Sequence, residues 1–170
     1  MQNTVKQSSL IELAVNRMAW ARGFTDSLIE SLSDEQVMVR PDGKANHAIW
    51  ITGHLASTDD FILSLLNESQ MTLPESWHDL FKSGSKPQDD PAVYPSRREI
   101  REACTSMRER MIEWVRSLEE SQFNDPTPET LQPFADTKLG LPFTIAAHDL
   151  FHAGQVAAVR SCLGMDPLHR

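Results

Sequence analysis

The chain has 170 residues, a length that fits a single domain over 1-170 and buries roughly two-thirds of its unfolded surface without disulfide or metal staples. Its net charge of −8, from 16 Lys and Arg against 24 Asp and Glu, repels phosphate backbones, and no basic block exceeds Arg97-Arg98, so no nucleic-acid partner is expected. No apolar run approaches the ~18 to 20 residues of a membrane span and the N-terminus lacks a signal-peptide pattern, which predicts a cytoplasmic protein with no membrane partner.

Hydrophobic periodicity predicts four long helices. The first runs from about 9 to 32, with Leu10, Leu13, Ala14, Arg17, Ala21, Phe24, Leu28 and Leu32 recurring at steps of three and four. Ser33 and Gln36 then form a capping box ahead of the breaking run Arg40-Pro41-Asp42-Gly43. A second helix runs from near Asn46 to about Asn67, with Trp50, Ile51, His54, Phe61, Ile62 and Leu65 on one stripe. Residues 68–95 carry Pro74, Pro87, Pro91, Pro95 and Gly84, the pattern of a long crossover holding a short helix at PESWHDLF.

The third helix starts at Ser96, with Glu99 completing a second capping box. Its apolar face is Ile100, Ala103, Cys104, Met107, Met111, Trp114, Val115 and Leu118, and its alternating Arg and Glu residues read as a solvated face. Pro126, Pro128, Pro133 and Gly140 interrupt the next stretch, where LQPFADTKLG reads as a turn or short β-like segment. The fourth helix opens at Pro142 and stops near Gly164. The fold class is therefore all-α, a four-helix bundle with a long crossover connection between the second and third helices.

Histidine placement carries the chemistry. His148 and His152 are four residues apart on the fourth helix, so both rings leave one face one turn, or ~5.4 Å, apart and can grip one metal ion. His54 points inward from the second helix and supplies a third nitrogen if the two helices pack face to face. Any one of these residues alone reads most simply as a hydrogen-bonded core histidine, but the pair together with His54 favours a shared divalent ion. Three ligands and one vacancy make a catalytic type of site. Gln155, one turn beyond His152, is either a hydrogen-bond partner for a bound ligand or a helix-packing amide.

The other candidates read as structural. Asp149 makes HDLFH resemble a zinc-protease helix, but the base there is a glutamate, and Asp149 projects ~100° from His148. His47, ~10 Å along the axis from His54, reads as a helix-start residue. His78 and Glu75 form one ExxH step where a di-iron bundle needs two. Asp59 and Asp60 lie off the face of His54 and are at most hydrogen-bonding partners behind its site, Trp50 walls its pocket, and His169 is terminal. Cys104 and Cys162 read as buried free thiols, and no GxSxG elbow supports a Ser-His-Asp reading.

WITGHL around His54, the helix HDLFHAGQVAAVRSCLG with its HxxxHxGQ pattern, and the helix order resemble the DinB-like (YfiT-type) metalloenzyme superfamily over nearly the whole chain. The resemblance implies a four-helix bundle whose His54, His148 and His152 hold nickel, zinc or another divalent ion with open positions. It further implies a homodimer acting on a small-molecule substrate. The assigned activities are transfer of a low-molecular-weight thiol to an electrophile, a thiol-dependent isomerase and amide-hydrolase-like reactions. His148 stands where the isomerase-like branch carries a glutamate, which argues against that branch. An open divalent site fits thiol S-transfer, hydrolysis of an amide or ester, or a metal-containing binding module without turnover.

Overall fold

Short-range capping chemistry sets several of the helix boundaries in this computed structural model. The structure describes residues 2–67 and 69–168, with side chains from Leu10 onward. Its helices are α1 (Gln2–Glu30), α2 (Ala48–Leu66), the short α3 (Glu75–Phe81), α4 (Arg97–Arg116) and α5 (Leu141–Cys162). Ser96 accepts from the Glu99 amide while Glu99 returns a bond to the Ser96 amide, the reciprocal box expected there. Ser33 and Gln36 exchange the same pair of bonds ahead of a 3₁₀ turn. His47 is the N-cap of α2, its Nδ1 accepting from Trp50 N at 3.0 Å, so it is the helix-start residue its position predicted.

At the C-terminus of α5, Gly164 has φ +70, and the bonds from Met165 N to Arg160 O and from Gly164 N to Ser161 O close a Schellman cap. The LQPFADTKLG segment contributes only an isolated bridge between Pro126 and Thr137, and no strand forms among the described residues. The long crossover from α2 to α4 contains α3, where the sequence placed a short helix.

Two expectations about helix faces are corrected. On α1 the buried stripe is Ile11, Ala14, Val15, Met18, Ala21, Arg22, Thr25, Leu28 and Ile29, while Leu10, Leu13 and Trp20 are 39, 43 and 57 % exposed. The buried face is turned by about one residue from the predicted stripe: Ile11, Val15 and Met18 pack in the apolar interior, and Arg22 shares that face through its ion pairs. Phe61, placed on the inner stripe of α2, is 40 % exposed at the rim of a cavity.

Packing is pairwise, with α1 against α5 and α2 against α4, and α1 also touching α4. The apolar interior is in two parts. One joins Val15, Met18, Ile62, Met111, Val115 and Ile145; the other joins Leu28, Ile51, Leu55, Phe81, Ile100 and Val156. Between them, α1 offers Arg22 and Thr25, α2 offers Ser57, Asp59 and Asp60, α4 offers Arg108, and α5 offers Asp149 and His152, all buried. A polar layer thus crosses the middle of the bundle, where α2 and α5 approach each other only sparsely. No helix among the described residues is long and apolar enough to cross a membrane.

Candidate metal centre

Placement of His54 starts with the residue before it. A Cβ on Gly53 would lie 2.4 Å from Phe81 Cε1, so only glycine lets α3 seat its fully buried Phe81 against α2 at this point. That contact brings the Phe81 carbonyl to 2.8 Å from His54 Nδ1. Nδ1–H donates to it, which leaves the lone pair on Nε2. Trp50 stacks on the same imidazole with centroids 4.7 Å apart and planes at 9°, and anchors itself by donating from Nε1 to Leu80 O and Ser85 Oγ. The tryptophan expected to wall a pocket instead clamps the histidine ring.

On α5, His152 Nδ1 lies 3.1 Å from Gln155 Oε1, and that oxygen also accepts from Asn46 Nδ2. Gln155 therefore fixes the tautomer of His152, and its Nε2 also carries the lone pair. The three Nε2 atoms converge: His148 Nε2 is 3.3 Å from that of His54 and 3.1 Å from that of His152. His54, His148 and His152 are the one group of three or more His, Cys, Asp or Glu among the described residues with metal-ligand spacing, all their ligand atoms lying within 4.8 Å. Ligands ~2.0 to 2.1 Å from a tetrahedral ion would be separated by about 3.3 Å, so the donor set fits a divalent transition metal. His54 and His152 both present Nε2 lone pairs toward His148, an arrangement that a cation satisfies in full and a single proton on His148 Nε2 only in part.

Burial is the largest influence depressing all three histidines. His148 is further lowered by His54, reaching about 4, and His152 by His148 and His54, reaching about 3. Neutral imidazoles are the form that ligates a metal.

Beneath the histidines lies a charge cluster that the sequence reading missed. Arg22, Asp59, Arg108 and Asp149, each 5 % exposed or less, come one from each long helix. Arg108 Nε donates to Asp59 Oδ2 at 2.9 Å and Nη2 to Asp149 Oδ1 at 3.1 Å, while Nη1 lies 2.8 Å from Asp149 Oδ2 as an ion pair without hydrogen-bond alignment. Arg22 Nη2 reaches both carboxylates, at 3.3 and 3.1 Å, and its Nη1 donates to Cys104 Sγ at 2.8 Å. Two cations and two anions neutralise each other, the condition for burying them.

Arg108 is thus not part of a solvated face, and Asp149 and Asp59 are structural anchors beside the histidine-bearing turns. Arg22, Asp59, Arg108 and Asp149 each fall four residues after an apolar residue that the structure buries, Met18, Leu55, Cys104 and Ile145, a pattern that singles them out only once the buried faces are known. Charge in step with an apolar stripe marks a paired interior ion.

A cavity of about 750 Å³ opens beside the histidines. His54 and His148 form one wall, Phe61, Ile62, Met71, Leu131 and Phe134 give apolar surface, and Ser57, Thr58, His78, Lys82, Ser83 and Thr130 give polar groups. Phe134 also meets the His148 ring edge-on, with centroids 5.9 Å apart. His47, buried with Nε2 3.1 Å from Gln88 O, takes no part. His78 belongs to the cavity wall rather than to a carboxylate ExxH site, and His169 lies outside the described residues. Cys104 is buried as expected, whereas Cys162 is exposed because it closes the last turn of α5 on its outer side.

A solved structure described as the conserved protein of locus from Enterococcus faecalis is similar to this chain, with a TM-score of 0.67 at 15% identity, covering 90% of this chain and 96% of that one. At that identity the likeness speaks for the fold. No curated protein sequence matches the chain. The sequence profile of the DinB superfamily matches residues 17–156, a span that includes all three converging histidines and every long helix in whole or in part. The chain belongs to the DinB superfamily.

Proposed function

We propose that this chain is a metal-dependent enzyme that transfers a small cellular thiol to an electrophile. The observation carrying this reading is the convergence of three Nε2 atoms, with His148 3.1 and 3.3 Å from the other two, beside a cavity large enough for a small molecule that His54 and His148 line. A divalent ion held by His54, His148 and His152, nickel or zinc by the chemistry of three imidazoles, would supply Lewis acidity and lower the pKa of an incoming thiol.

The chain's own residues provide the rest. Phe81 O and Gln155 Oε1 hold two rings in the ligating tautomer, and Trp50 prevents His54 from turning. Phe61, Met71, Leu131 and Phe134 offer an apolar seat for the electrophile near His148, while the hydroxyls of Thr58 and Thr130 orient polar substituents. A second reading, hydrolysis of an amide or ester, is favoured by one further feature: His78 faces the same cavity with Asp60 behind it, 3.0 Å away.

Elemental analysis of the purified protein beside a His148→Ala variant comes first, followed by a panel of small thiols with chlorodinitrobenzene. About one equivalent of nickel or zinc, lost in the variant, with metal-dependent and thiol-dependent consumption of the electrophile, is the expected result. Retention of full metal in His148→Ala removes that residue from the ligand set. Stoichiometric metal with no turnover across the thiols overturns the transferase reading, in favour of hydrolysis if esters or amides are cleaved and of a binding module if they are not.

A further inference from the structure

The cavity has a second group of reactive side chains, one helical turn along α2 from His54. Ser57 places its Oγ 2.7 Å from His78 Nδ1, and His78 Nε2 lies 3.0 Å from Asp60 Oδ2. Proton positions along this chain follow from its far end. Asp60, 1 % exposed, also accepts from Thr72 N, Thr72 Oγ1 and Leu73 N at 2.7 to 3.0 Å. Burial works to raise the Asp60 carboxyl, but these bonds and the one from His78 outweigh it and hold it below its ordinary value.

An ionised carboxylate only accepts, so His78 Nε2 carries the proton and donates it. Nδ1 is then a bare lone pair, and the Ser57 hydroxyl donates to it. A hydroxyl, a base and a carboxylate that orients the base are thereby connected in order. Ser57 is buried at 3 % yet borders the cavity, as does His78. The sequence concealed the arrangement because Ser57 and Asp60 sit on α2 while His78 arrives on α3, with no elbow motif around the serine.

We propose that Ser57, His78 and Asp60 form a second, metal-independent site that cleaves small carboxylic esters through an acyl-serine. Ser57 Oγ attacks the ester carbonyl carbon, forming the O–C bond as its proton moves to His78 Nδ1 and the carbonyl π pair moves to oxygen. Return of that pair breaks the bond to the alkoxy group, which leaves as the alcohol with the proton from His78. Water then attacks the Ser57 ester, giving its proton to His78. The Oγ–C bond breaks, the carboxylic acid departs, and His78 returns the proton to Ser57. The hydroxyls of Thr58 and Ser83, on the same cavity, are the donors nearest in kind to those the carbonyl oxygen needs as it gains charge, with the Lys82 ammonium, which pairs with Asp79, at the cavity edge.

The test is labelling of the full chain by a fluorophosphonate, before and after treatment with a chelator, with peptide mass mapping. A single adduct at Ser57 is expected, unchanged by the chelator, absent in Ser57→Ala, and formed about 100-fold more slowly in His78→Gln. The wild-type rate should also exceed that of N-acetylserine amide by about 100-fold or more, which keeps the test valid if His78→Gln melts below the assay temperature. No adduct at Ser57, a rate equal to that of the free serine amide, or a rate unchanged in folded His78→Gln would overturn the proposal. Because the chelated protein is read, failure of the metal reading leaves this outcome intact, and the converse holds.

Discussion

His148 and His152 connect the site to stability through their protons. Their folded values, about 4 and about 3, lie below the ordinary 6.5, chiefly because burial disfavours charge and secondarily because each ring faces others. Between pH 6.5 and those values the unfolded chain binds protons that the folded chain does not, so stability is complete above 6.5 and declines as pH falls. Chelator-treated wild type should therefore lose denaturation midpoint steadily from pH 7 toward pH 4, and a His148→Gln/His152→Gln double variant should show a flatter profile over the same range. The thiols offer a separate check. Cys104 is pushed up to about 12, first by burial, and lies beside Arg22, whereas Cys162 is exposed. Titration with a disulfide reagent should find one rapidly reacting thiol in the native protein and the second only on unfolding. A Cys162→Ser variant that still reacts quickly would contradict the burial of Cys104.

At the scale of elements, α3 is the piece that completes the site. It is seven residues long, too short to be stable alone, and it is held by Phe81 on Gly53 and by His78 between Ser57 and Asp60. Both contacts bear on the proposed sites, since Phe81 O bonds His54 and His78 faces the cavity. Gly53→Ala forces a methyl into the Phe81 ring, which is rigid and fully buried, so α3 must shift and its carbonyl must leave His54 Nδ1. Overpacking of this kind costs roughly 1 to 3 kcal/mol, and loss of an outer-shell partner weakens metal affinity by about 10- to 100-fold. Competition against a chromophoric chelator measures the second effect, and unchanged nickel or zinc affinity in a folded Gly53→Ala protein would refute the role given to α3.

The caps at Ser96 with Glu99, Ser33 with Gln36, and Gly164 at the close of α5 were legible because each is decided within one turn, whereas α1 begins at Gln2 rather than near residue 9. The face of α1 was not legible. Two apolar stripes one residue apart compete there, and the choice depends on how the helix packs, the pairing of Arg22 included.

Across the whole molecule, the polar layer joins side chains of all four long helices through buried ion pairs. Asp59 follows His54 by five residues and Asp149 is next to His148, so the ion cluster fixes the same segments of α2 and α5 that present the imidazoles. Asp149→Asn leaves two buried guanidinium groups with one carboxylate, a loss of roughly 3 to 5 kcal/mol by analogy with other buried pairs broken on one side. For a chain of this length the melting temperature should fall by on the order of 10 °C. Calorimetry of chelator-treated Asp149→Asn checks this, and a shift of only a degree or two would show that the cluster is not an anchor.

The sequence by itself determined the helical class, the positions of the caps, the paired faces of His148 and His152, and the inward direction of His54, because spacing along one helix is enough for each. Tertiary structure alone decided that Arg22 meets Asp149 across 127 residues, that Phe81 lends its carbonyl to His54, and that Ser57 finds His78 from another helix. Those contacts depend on how helices rotate and dock against one another. That choice is made by interior packing and charge pairing over the whole chain, and no local pattern encodes it.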